Sequence, residues 1–184
     1  MVMYGTSILH GGCASRPGMA YPAILGRRLE RPVINLGFSG NGKLDPEMGV
    51  LMAELDASVY VIDCAPNLSP ALIAERTQPF VEALRKARPG VPIVLVENIF
   101  FQKGAFLPES RRSYEDKNRE LRQAYEALVA KGVDRLYCIE GAGLLGSDGE
   151  ATVDGTHPTD LGFMRMADAI EPTLRQCLAA SNLK

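Results

Sequence analysis

At 184 residues, with 46% hydrophobic and 23% charged residues, the chain is long enough for one domain with a sizeable core. A net charge of -2, with Lys and Arg spread along the chain, excludes the clustered basic face of a nucleic-acid-binding protein. No apolar run approaches the ~20 residues of a membrane span, and the first residues read as a strand rather than as the basic n-region of a signal peptide.

The chain alternates between strand and helix patterns. Val2 to Tyr4 is the first predicted strand, followed by a loop at Gly11 and Gly12 and a helix from Met19 to Glu30. Pro32 to Leu36 is a second short apolar strand that ends in the glycine-rich run 37–42. Helices are predicted for Pro46 to Leu55 and Ala71 to Ala87, with Pro79 expected to break or kink the latter. Between them Ser58 to Cys64 is a β-branched run. Pro92 to Glu97 and Asp134 to Ile139 complete the strands, separated by an amphipathic helix from Tyr114 to Lys131. The last helix runs from Asp160 to Ala179, with Leu161, Met164, Ala167, Ile170, Leu174 and Leu178 on one stripe.

Five apolar strands separated by helices predict an α/β fold with a five-stranded parallel sheet covered on both faces. Ligands in such sheets bind outside the carboxyl ends of the strands. Ser7, Gly40, Asn67 and Asn98 follow strands one to four, and Asp154 and His157 follow strand five. The topology alone would gather them at one edge. A first strand beginning at Met1 or Val2 leaves two readings open: a single domain over 1–184, or a domain separated from an upstream partner. Cys13, Cys64, Cys138 and Cys177 have no CxxC spacing, which predicts four thiols and no zinc site.

The chemistry follows from residue types. A serine hydroxyl is a weak nucleophile that needs an imidazole as general base, and the imidazole needs an orienting group. Only two histidines are present, His10 and His157. At DxxH spacing, Asp154 can hold Nδ1 of His157 and leave Nε2 free for the Ser7 proton. Each residue also has a plain structural use. Ser7 can end a strand, Asp154 can serve a turn, Gly40 can supply a positive φ, and Asn67 can cap the helix beginning near Ser69. Their conjunction at one edge favours catalysis. Gly40 would then offer an N–H, and Asn67 a side-chain N–H, to an oxyanion. His10 lacks a nearby acid and is placed at the pocket rim. Arg16 either meets a polar substrate group or is a solvated loop charge.

The set resembles the SGNH hydrolases, or GDSL-type esterases. Gly5-Thr6-Ser7-Ile8 is similar to their Gly-Asp-Ser-Leu block, with Thr6 in place of Asp. Asn35 to Gly40 is similar to their second block, which ends in Ser-Gly. Ala65-Pro66-Asn67-Leu68 keeps the Asn of their third block but loses its leading Gly and trailing Asp. Asp154 to Pro158 matches their Asp-x-x-His-Pro outright. The resemblance implies a flavodoxin-like three-layer α/β/α sandwich and a Ser7–His157–Asp154 triad. It further implies oxyanion donors from Ser7, Gly40 and Asn67, with no cofactor and no metal. The Gly-Thr-Ser-Ile, Asp63-Cys64-x-Pro66-Asn67 and Gly12 to Gly18 segments are similar to a subgroup in which this domain often follows a β-rich one. The expected partner is a small-molecule ester, with a short acyl group such as acetyl on a carbohydrate. A lipid or thioester acylhydrolase is the alternative, with Phe100 and Phe101 in the Phe100–Leu107 loop as an acyl wall. A non-catalytic carbohydrate-binding relative is the alternative of another class. The compartment is either cytoplasmic or, from a longer precursor, secreted.

Overall fold

A computed structural model describes residues 1–181. Five parallel strands, β1 (Val2–Gly5), β2 (Ile34–Gly37), β3 (Tyr60–Asp63), β4 (Ile93–Val96) and β5 (Leu136–Ile139), form one sheet in the order β2-β1-β3-β4-β5. Gly5 sits in register with Gly37 on one side and with Asp63 on the other. The helices are α1 (Ser7–His10), α2 (Tyr21–Leu29), α3 (Pro46–Ala53), α4 (Pro70–Ala87), α5 (Pro108–Ala130) and α6 (Asp160–Ser181).

Strand side chains alternate between two cores. Met3, Val61, Val94 and Val96 pack with α1, α2 and α6 on one face. Val2, Tyr4, Tyr60, Ile62, Ile93 and Leu95 pack with α3, α4 and α5 on the other. This is the expected three-layer sandwich. From β1 the chain crosses to β2 and then returns to β3 on the opposite side of β1. The helices after β1 and after β3 therefore lie on opposite faces and leave a crevice at the strands' carboxyl ends.

Several boundaries differ from the pattern reading. Ser7 to His10 forms a four-residue helix, capped by Thr6 Oγ1 accepting from the Ile8 N–H (3.2 Å) and closed by Gly11 at φ 98. The helix expected from Met19 begins at Tyr21, because Pro17 to Met19 make a 3₁₀ turn first. Helix α4 runs unbroken through Pro79, which is exposed. Helix α5 begins at Pro108, six residues before the predicted Tyr114; its first turns are polar and carry no apolar period. The two-face burial fails at β2, the edge strand, where Ile34 is 44% exposed. Cys13, Cys64 and Cys138 are free thiols.

Candidate active site

Ser7 is the first residue of α1, directly after β1, where backbone N–H groups have no partner within the helix. The side chain is fixed from behind: Thr6 is fully buried, as are Ile8 and Leu9. The Ser7 carbonyl accepts from the N–H groups of Gly11 (3.1 Å) and Gly12 (2.8 Å), which closes the loop tightly under the hydroxyl.

His157 comes from the connection between β5 and α6. An antiparallel bridge from Thr152 to Pro158 pinches this segment into a loop, and the Val153 N–H donates to the His157 carbonyl at 2.8 Å. Within it, Asp154 Oδ1 accepts from the backbone N–H of Thr156 (2.9 Å) and of His157 (2.7 Å). Asp154 Oδ2 lies 2.7 Å from His157 Nδ1, and His157 Nε2 lies 3.0 Å from Ser7 Oγ. A carboxylate can only accept, so Nδ1 carries the proton and Nε2 presents its lone pair to the serine hydroxyl. Burial pushes the Asp154 pKa up. The backbone and ring donors of His157 and the Thr156 N–H outweigh it and hold the value down at about 2. Ser15 ties the two halves together, donating from its N–H (2.9 Å) and hydroxyl (2.5 Å) to Asp160 at the start of α6.

The loop after β2 is anchored to β1 by the Phe38 N–H, which donates to the Gly5 carbonyl at 2.9 Å. The Asn41 and Gly42 N–H groups turn back to the Phe38 carbonyl, each at 3.0 Å, while Gly40 has φ 70 and no backbone acceptor in the loop. The Asn67 amide lies against this turn. In one orientation Nδ2 donates to the Phe38 carbonyl at 3.3 Å; turned over, Oδ1 accepts from the N–H groups of Gly40 and Asn41, each at 3.3 Å. The amide of Asn67 and the N–H of Gly40 thus lie within hydrogen-bond distance of each other.

The remaining sequence candidates are dispersed. His10 is exposed on α1, with Nδ1 3.0 Å from the Gly37 carbonyl, and among the described residues no carboxylate pairs with it. Arg16 is exposed beside Asp160. Phe100 stacks on Tyr114 at 4.6 Å and is 41% exposed, whereas Phe101 is 9% exposed and meets Tyr114 edge-on. Asn98, expected at the edge, is fully buried: its backbone N–H donates to Asn118 Oδ1 (2.8 Å) and its carbonyl accepts from Asn118 Nδ2 (2.9 Å). Two groups near the site were given no role of their own by the sequence reading. Lys117, on α5, reaches the Pro66 carbonyl beside Asn67 (2.9 Å). Asp63, at the end of β3, is fully buried and accepts from the Tyr21 hydroxyl (2.8 Å); burial raises its pKa to about 7 against the lowering effect of that bond. Neither shows in sequence, since both depend on contacts made across elements. Among the described residues no group of three or more His, Cys, Asp or Glu is placed to hold a metal ion, and no helix is long and apolar enough to cross a membrane.

Residues 1–175 match the profile of the GDSL-like Lipase/Acylhydrolase family. The chain is similar to a Bacteroides ovatus protein described as a GDSL-like lipase, at 44% identity and a TM-score of 0.93, covering 97% of this chain and 53% of that one. It also resembles a salicylyl-acyltransferase from a tetracycline biosynthetic pathway (21% identity, TM-score 0.79, 99% of this chain and 54% of that one). A family two carbohydrate esterase from Clostridium thermocellum, in complex with cellohexaose, shares the fold at 17% identity and a TM-score of 0.70, over 97% of this chain and 64% of that one. The chain thus spans a little over half the length of these structures. No curated protein matches it by sequence.

Proposed function

The chain belongs to the GDSL-like lipase/acylhydrolase family, and from that premise we propose that it is a serine esterase with Ser7 as nucleophile, His157 as general base and Asp154 as orienting acid. The observation that carries this reading is the continuous relay from Ser7 Oγ to His157 Nε2 (3.0 Å) and from Nδ1 to Asp154 (2.7 Å). Ser7 Oγ attacks the ester carbonyl while Nε2 takes its proton. Asp154, ionised at any pH well above about 2, stabilises the imidazolium that forms. The negative charge that develops on the carbonyl oxygen is met by the Ser7 N–H, the Gly40 N–H and the Asn67 amide, each such donor worth about 10²–10³ in rate. The imidazolium then protonates the leaving alcohol. Water, deprotonated by the same Nε2, attacks the acyl-enzyme and releases the acid and Ser7.

The exposure of the triad supports a reading of the substrate class. Both His157 and Asp154 are partly open to solvent, which suits a polar alcohol such as a carbohydrate carrying a short acyl group. The likeness of the fold to a carbohydrate esterase accords with that choice. Residues 1–184 act as one domain in this reading. Hydrolysis of p-nitrophenyl acetate and p-nitrophenyl octanoate by the wild type and Ser7→Ala tests it. Acetate activity that vanishes in the variant is expected. A preference for octanoate would move the substrate to lipid esters, with the exposed Phe100, Phe106 and Leu107 as acyl contacts. Equal activity in the variant would refute the serine mechanism, and no activity on either ester would favour a carbohydrate-binding relative.

A further inference from the structure

Two ammonium groups approach one aromatic ring beside the catalytic edge, and no carboxylate among the described residues pairs with them. Lys103 Nζ lies 5.4 Å from the centroid of Phe101, and Lys117 Nζ lies 5.7 Å from it. Lys117 is 8% exposed, and its one hydrogen-bond partner among the described residues is the Pro66 carbonyl. Lys103 is half-buried, and its backbone N–H donates to the Gly155 carbonyl (3.2 Å), between Asp154 and His157. Lys117 thus touches the Asn67 loop through its ammonium, and Lys103 touches the His157 loop through its backbone.

On the same helix Arg119 pairs with Asp116 and Arg122 with Glu97 and Glu140, whereas Arg111 and Arg112 have no ion pair among the described residues. Among the described residues neither Lys103 nor Lys117 has an ion pair. Burial, and then the Lys103 charge, lower the pKa of Lys117. A cation pair held in a partly dry wall without a counter-charge is costly unless an anion is its partner. Phe101 supplies a weak electrostatic contact to both cations but cancels neither charge.

We propose that Lys103 and Lys117 form an anion subsite against Phe101, so that the preferred ester carries a carboxylate on its acyl or its alcohol part. The inference rests on the serine esterase reading for its link to turnover. Matched pairs separate the two sources of the charge. Mono-p-nitrophenyl succinate against p-nitrophenyl acetate places it on the acyl side. An acetylated methyl glucuronide against the acetylated methyl glucoside places it on the alcohol side.

With each rate corrected for uncatalysed hydrolysis, one anionic member should exceed its neutral mate in kcat/KM by about ten- to a hundredfold, the worth of one charge-assisted hydrogen bond. Lys103→Gln and Lys117→Met should each bring that ratio toward one, and 0.5 M salt should shrink it in the wild type. Ratios at or below one in the wild type, or a ratio that survives both substitutions, would overturn the subsite. If no ester turns over, the esterase reading has failed by itself. Calorimetric binding of monomethyl succinate and methyl glucuronide to the wild type then decides. Binding that Lys103→Gln abolishes supports the subsite, and no binding, or binding that persists in the variant, refutes it.

Discussion

Ser7 and His157 meet at 3.0 Å but are held there by opposite means. The serine side is packed: β1 is buried along its length, Thr6 is fully buried, and the Gly5 backbone lies so close to β3 that a Cβ there would sit 2.6 Å from the Asp63 carbonyl oxygen. The histidine side is strung on hydrogen bonds in a loop, with the His157 side chain 31% exposed and that of Asp154 51% exposed. The two carboxylates make the same contrast. Asp63 is dry and titrates at about 7, whereas Asp154, surrounded by donors, titrates at about 2. Damage to the packed side should cost stability, and damage to the loop should cost rate.

The largest expected effect tests the loop. Asp154→Ala should lower kcat/KM by about 10³–10⁴, because the imidazole loses both its tautomer and its counter-charge. The melting temperature at pH 7 should move little, since this carboxylate is half exposed. Its folded-state pKa lies below the ordinary ~3.9, so its small contribution to stability is present above about pH 4 and fades only as the pH falls toward 2. A large melting shift with little kinetic loss would invert the comparison.

Asp63 tests the packed side. Its folded pKa of about 7 lies above the unfolded ~3.9, so between those values the unfolded chain has released a proton that the fold retains. Stability should therefore fall as pH rises from about 4 to about 7, by at most about 4 kcal/mol, and level off above. Asp63→Asn keeps an acceptor for Tyr21 and should flatten that slope in denaturant titrations across pH. Gly5→Ala comes next, with an expected loss of about 1–3 kcal/mol from overpacking against β3, read as a lower melting temperature. The smallest effect belongs to Gly40→Ala. Nothing lies within 4 Å of the added methyl, so the cost is the φ of 70 alone, about 1 kcal/mol. Its kcat should fall by more than that strain implies if the Gly40 N–H meets the oxyanion.

The contrast also explains what could be read from the chain. Apolar runs revealed all five strands because the sheet interior demands them, and the short motifs around Ser7, Gly40, Asn67 and His157 carried the candidate site through chain order alone. Helix α1 stayed hidden because four residues cannot display a period. The start of α5 stayed hidden because its first turns bury almost nothing before Tyr114. Exposure at β2 depends on its being the edge strand, a property of strand order rather than of its residues. Lys103 and Lys117 are fourteen positions apart and became a pair only when α5 packed beside the β4 loop.

The most direct measurement is intact-mass analysis after a fluorophosphonate, which phosphonylates an activated serine, is added to the wild type, Ser7→Ala and Asp154→Ala. The account predicts one adduct on the wild type, mapped by peptide digestion to Ser7, much slower labelling of Asp154→Ala, and none on Ser7→Ala. An adduct that persists in Ser7→Ala, or wild-type protein left unlabelled, would contradict it.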